Sequence, residues 1–228
     1  MKPFEVNIVS YERPDMTQAL VYQMRNTLPF EPIIRVWENS PKKYDYDKVD
    51  EVRWNRFNPS LTRVWNWAIA QSESEWIMIP SDDIKFRDGW AKHLDEEMTR
   101  YPDSYWHGPS RCFMVKRSIV EKVGWFDERL RYFCYEDLDY IRRINESGIV
   151  HRYGPLSCLQ EDAMTLKAQT RRYMVEGIRE DSNQAFFNTK YDDHNPEWFK
   201  GTPKFPTPNF YPFADCSQNH LTEKDVMK

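Results

Sequence analysis

Two acidic pairs, Asp82-Asp83 and Glu136-Asp137, lie fifty-four residues apart and hold the chain's best-placed chemistry. The first ends the run WIMIPSDD. Its apolar part, residues 76–79, reads as a buried strand, and open α/β sheets bind ligands just past the carboxyl ends of their strands. The second pair sits in FCYEDLDY, where Leu138, Ile141 and Ile144 followed by Gly148 predict an amphipathic helix with a glycine stop. Acids in the first turn of a helix face free backbone N–H groups and the positive end of the dipole, so they stay ionised. One pair can therefore hold a divalent cation while the other accepts a proton. Acids at such places also serve as turn or helix caps, so the surrounding elements decide between the two uses.

Those elements alternate. Residues 4–10 form an apolar run interrupted by Asn7, and Pro14 then opens a helix marked by Met16, Leu20 and Met24. Residues 33–37 form a second strand that stops at the turn formers Glu38-Asn39-Ser40-Pro41. Leu61, Val64, Trp65, Ala68 and Ile69 make a strong helical stripe before the strand at 76–79. Trp90, Leu94 and Met98 mark another helix, residues 112–115 another strand, and Ser118 with Glu121 a capping-box pattern closed by Gly124. Strand and helix in alternation predict a doubly wound, mostly parallel sheet. From Asp162 the pattern weakens. We expect a core over residues 1–161 and, in the same domain, a C-terminal helix near 164–178 and a proline- and aromatic-rich tail packed along the core.

Composition excludes several classes. A net charge of −4 gives no general pull toward nucleic acid or anionic membrane. No run approaches the roughly 20 apolar residues that span a bilayer, and the start of the chain, broken by Glu5 and Asn7, reads as a strand of a cytoplasmic protein. The four cysteines are scattered without a C-x-x-C pair, which suggests buried thiols instead of a zinc or disulfide framework. Seven glycines with no G-x-G pair leave no loop to cradle phosphates by backbone N–H groups. The nine tryptophans exceed what a small core needs and permit stacking surfaces for sugars or bases.

In this order IVSYERP, ENS, NPSLTRVWNWAIAQSESEWIMIPSDD and GWFDERLRYFCYEDLDYIRRINESG resemble the inverting glycosyltransferase family 2, from about Val6 to Gly148. A weaker echo, NQAFFNTKY, resembles the carboxyl end of small, often phage-encoded members. The resemblance implies a GT-A, Rossmann-like α/β fold and a nucleotide-sugar donor. It also implies Mn2+ or Mg2+ bound by Asp83 with Asp82. Cytoplasmic action follows, in a host cytoplasm if the chain is phage-encoded. Hard oxygen ligands and a cation that neutralises a leaving diphosphate fit that chemistry.

Carried onto this sequence, the resemblance puts nucleotide contacts at Ser10, Tyr11, Glu12 and Glu38, with Asp82 beside them and with polar donor contacts at Arg63 and Asn66 on the next helix. It makes Asp137 the general base and Glu136 an orienting acid. Asp139, expected nearer solvent, reads as structural. Three departures stand out. Pro80 and Ser81 precede the acids where many members have a further aspartate. The family's extra metal ligand, commonly histidine, falls on Gln160 or Glu161, of which Glu161 is the better hard-cation ligand. The long acceptor-side elements of processive synthases are missing.

His151 comes too early for that ligand and reads as a half-buried strand residue. The acceptor is a hydroxyl, on a glycan or on a hydroxylated base in DNA. For DNA, the pairs Arg142-Arg143 and Arg171-Arg172 are the phosphate contacts to test, although such pairs are commonly solvated helix faces. Two other classes compete: a catalytically silent carbohydrate- or nucleotide-binding module, and a nucleotidyltransferase, which would need the absent glycine-rich loop.

Overall fold

The structure, a computed structural model, describes residues 2–108, 112–130, 135–153, 156, 158–160, 187–188 and 190–191. The chain runs β1 (Glu5–Ser10), α1 (Pro14–Thr27), β2 (Ile34–Glu38), β3 (Glu51–Trp54), α2 (Leu61–Gln71), β4 (Trp76–Ile79) and β5 (Ile84–Phe86). It continues through α3 (Trp90–Arg100), β6 (Tyr105–His107), β7 (Phe113–Lys116), α4 (Arg117–Val123), α5 (Glu136–Glu146), β8 (His151–Tyr153) and β9 (Cys158–Gln160).

Seven strands form one sheet in the order β3-β2-β1-β4-β7-β6-β8. The pairings β1–β2, β2–β3, β1–β4 and β6–β8 are parallel, and only β7 runs against its neighbours. Ser10, Glu38, Ile79 and His107 therefore all arrive at the same carboxyl edge. The chain leaves β1 for β2 on one side and returns to β4 on the other, so β1 and β4 flank the switch point where such sheets open a crevice.

Strand alternation divides the core into two layers. Trp76 and Met78 pack with Leu20, Val21, Met24, Leu94 and Met98 under α1 and α3. Ile77 and Ile79 pack with Trp65, Ala68, Ile119, Tyr140 and Ile144 under α2, α4 and α5. A strand buried on both faces is continuously apolar, which is why residues 76–79 stand out in the sequence. The polar interruptions of β1 are satisfied inside. Asn7 donates to Ser72 Oγ at 3.0 Å and accepts from Trp37 Nε1 at 2.9 Å, while Glu5 accepts from the N–H groups of Glu73 and Ser74 and pairs with Arg35.

Two local expectations change. Helix α4 begins at Arg117 with no side-chain cap, so the Ser118–Glu121 capping box does not form, although Gly124 does close the helix at φ +89°. The short strands β3, β5 and β6 escape the periodicity reading because so few residues establish no period. The helix expected near 164–178 and the tail lie outside the described residues. No helix among the described residues is long and apolar enough to cross a membrane.

Candidate active site

Ser81 and Asp82 tie the end of β4 to the end of β1 at the crevice. Val9 bridges Ser81, the Asp82 N–H donates to Val9 O at 3.1 Å, and the Tyr11 N–H donates back to Asp82 Oδ2 at 3.0 Å. Asp82 is buried, and its carboxyl is pushed up to about 7. Burial is the largest cause, opposed by the Tyr11 N–H and reinforced by the neighbouring charge of Asp83. A buried acid held next to a second carboxylate suits a hard divalent cation, which supplies the missing positive charge. Among the described residues no third His, Cys, Asp or Glu completes a metal cluster. Glu161 lies outside the described residues, but β9 pairs with β5 so that Gln160 stands opposite Ile84, the residue after Asp83.

The nucleotide positions expected from the sequence gather on this edge with unequal freedom. Ser10 is buried, its hydroxyl 2.8 Å from Thr17 Oγ1. Tyr11 is half-buried, and exposed Glu12 adopts φ +55°, its N–H donating to Ser40 Oγ at 2.7 Å. Glu38 is completely buried and accepts from the hydroxyls of Ser40 and Tyr46, so its carboxylate shapes the loop from within. Arg63 and Asn66 face another way. Arg63 Nε donates to Glu128 at 2.9 Å, and Asn66 donates to Phe126 O and Glu128 while accepting the Phe126 N–H, which locks α2 to the Phe126-Asp127-Glu128 turn.

The second pair begins α5 as the periodicity predicts, with Gly148 past its end at φ +75°. Tyr135 enters the helix at φ +71°, a costly conformation for a residue with a Cβ, and its ring packs 5.2 Å from that of Phe187. Glu136 is buried, whereas the Asp137 side chain is 27% exposed and so reachable from the cleft. The Leu138 N–H donates to Asp137 Oδ1 at 2.8 Å, and His107 Nε2 stands 3.8 Å from Oδ2. Because His107 ends β6, this contact brings Asp137 to the carboxyl edge two strands from β4, about 10 Å away at ordinary strand spacing.

Two sequence expectations about α5 are corrected. Asp139 is fully buried instead of near solvent, and it pairs with Arg143 and Lys190 and accepts from the Tyr191 hydroxyl at 2.7 Å. Arg142 and Arg143 are buried and form no solvated face, Arg142 standing over the rings of Phe187 and Tyr191. Arg171 and Arg172 lie outside the described residues. His151 is a half-buried strand residue as expected, its imidazole pushed down to about 4 by burial first and by His107 second. His107 itself was missed by sequence reasoning. Its one signal was a histidine closing the aromatic run Tyr105-Trp106 just before Gly108.

No protein-family model matches the chain, and no curated protein sequence matches it. Solved structures match it in shape. GalNAc-T7, crystallised with UDP, GalNAc and Mn2+, aligns at TM-score 0.59 and 11% identity over 82% of this chain and 50% of its own. The catalytic domain of Drosophila β1,4-galactosyltransferase 7, in complex with xylobiose, aligns at 0.50 and 11% over 67% and 65%. S. aureus TarS aligns at 0.49 and 14% over 62% and 33%. In each case the chain spans less than two thirds of the matched structure. GalNAc-T7 and β1,4-galactosyltransferase 7 are GT-A-type glycosyltransferases, and at such identities what their likeness establishes is the fold: the chain has the GT-A fold, a mostly parallel sheet flanked by helices.

Proposed function

We propose that the chain is a metal-dependent, inverting glycosyltransferase that moves one sugar from a nucleotide-sugar donor to a hydroxyl acceptor in the cytoplasm. The observation that carries this reading is the placement of Asp82-Asp83 at the switch point and of Asp137 on the same sheet edge two strands away. GalNAc-T7, of the same fold, was crystallised with UDP and Mn2+. Mg2+ or Mn2+, held by Asp83 and Asp82 with Glu161 as the further carboxylate, supplies the positive charge that a departing diphosphate needs.

The chain's own groups do the rest. Tyr11 and Glu12, just past the end of β1, meet the nucleoside with buried Ser10 beneath them, and Glu38 supports that loop through Ser40 and Tyr46. Asp137 takes the proton of the acceptor hydroxyl as the oxygen bonds to the anomeric carbon. The bond from that carbon to the diphosphate breaks on the opposite face, which inverts the centre. Glu136, buried beside it, orients the sugar or acceptor from within the site. Arg63 and Asn66 act indirectly, through Glu128, by fixing the turn that leads into α5. A glycan hydroxyl is favoured over DNA, since Arg142 and Arg143 are buried and unavailable to phosphates.

The test is a thermal-shift screen of UDP-sugars in Mn2+ and in chelator. A true donor raises stability by about 2.7 kcal/mol at a hundredfold excess over its dissociation constant, only with the metal, and Asp83→Ala removes the effect. Equal affinity in chelator would contradict metal dependence. No shift with any nucleotide sugar would favour the silent binding module.

A further inference from the structure

His107 is buried at 6% exposure, yet neither of its ring nitrogens has a hydrogen-bond partner among the described residues. Buried polar groups are seldom left in that state, so the exception calls for an explanation. The rings around it are Tyr105, His151 and Tyr153, with centroids 6.3, 6.0 and 5.7 Å away, and the carboxylate beside it is Asp137. The separation of 3.8 Å between Nε2 and Asp137 Oδ2 is too long for a hydrogen bond. Catalytic hydrogen bonds are often this loose without substrate and tighten in the complex, and here about 1 Å of approach closes the contact.

Resting on the assignment of Asp137 as the base, we propose that His107 is a positioning residue for it. Its Nε2–H donates to Asp137 Oδ2 while the Leu138 N–H holds Oδ1, so the carboxylate is fixed from both oxygens with a lone pair left for the acceptor's proton. Exposure separates the two roles: Asp137 is reachable from the cleft, and His107 lies behind it. Burial lowers the imidazole below its ordinary value, against the smaller opposing pull of Asp137, so it serves as a neutral donor. A neutral donor orients the carboxylate without neutralising the charge that makes it basic.

The experiment is 15N NMR of the full chain bound to UDP and Mg2+ and labelled at its five histidines, with His107 assigned by its loss in His107→Phe, or in His107→Gln if the phenylalanine variant fails to fold. The expected spectrum has the His107 proton on Nε2 alone at neutral pH, and Asp137→Ala converts it to a mixture of tautomers. A proton on Nδ1, or a tautomer indifferent to Asp137→Ala, overturns the proposal. In kinetics, release of UDP from UDP-glucose, UDP-galactose or UDP-N-acetylglucosamine with Mn2+ should show a turnover about a hundredfold lower in His107→Phe at unchanged KM. In an Asp137→Asn background the same change should cost nothing more, whereas an additive loss counts against action through Asp137. Wild-type turnover in Asp137→Asn alone would overturn the base assignment and leave the tautomer result standing on its own.

Discussion

The ammonium of Lys190 lies 2.9 Å from Asp127 Oδ2 with both side chains fully buried, and it pairs with Asp139 as well. It thereby joins the turn before α5, the first turns of α5 and the segment carrying Phe187 and Tyr191. Asp127 also holds Arg129 at 2.7 Å, and Asp139 holds Arg143 at 2.8 Å, so three cations surround two carboxylates within the cluster. This network grips α5 at Asp139, two residues after Asp137, and so ties the helix that carries the second acidic pair to a residue more than fifty positions away.

Lys190→Met keeps volume but leaves two buried carboxylates with one cationic partner fewer. Breaking such a buried pair costs about 3 kcal/mol, the low end of the usual range because Arg129 and Arg143 remain. Urea denaturation should show that loss as a lower midpoint. A variant within about 0.5 kcal/mol of the parent would mean that the cluster does not hold α5 in place.

Asp82 predicts how cation binding depends on pH. Its folded carboxyl is raised to about 7, chiefly by burial, so without a cation this group stabilises the fold at low pH and loses that contribution as pH rises through about 7. A divalent cation needs the deprotonated form and competes with the proton. The gain in melting temperature from Mg2+ should therefore be small near pH 6 and larger near pH 8, and Asp82→Asn should flatten the difference. An equal gain at both would contradict Asp82 as a ligand.

The legible parts of the site were those announced by a long or clean pattern. Residues 76–79 are apolar throughout because β4 is buried on both faces, and this located Asp82 and Asp83 at a strand end. Leu138, Ile141, Ile144 and Gly148 delimited α5 and put Asp137 in its first turn. Burial made by distant chain was not legible. Arg142 and Arg143 look like a solvated face until Phe187, Lys190 and Tyr191 cover them, and Glu38 looks available until Ser40 and Tyr46 turn back onto it. His107 lay on a three-residue strand, too short for any period, and its partner is thirty positions on in sequence.

Asp137→Asn tests the central claim most directly, because asparagine keeps the size and can still cap the helix but cannot take a proton. Turnover of the nucleotide sugar, donor affinity and melting temperature should be measured on parent and variant together. The account predicts turnover lower by about two to four orders of magnitude with the other two scarcely changed, and an inverted anomeric centre in the parent's product. Near-normal turnover in Asp137→Asn, or a product of retained configuration, would contradict it.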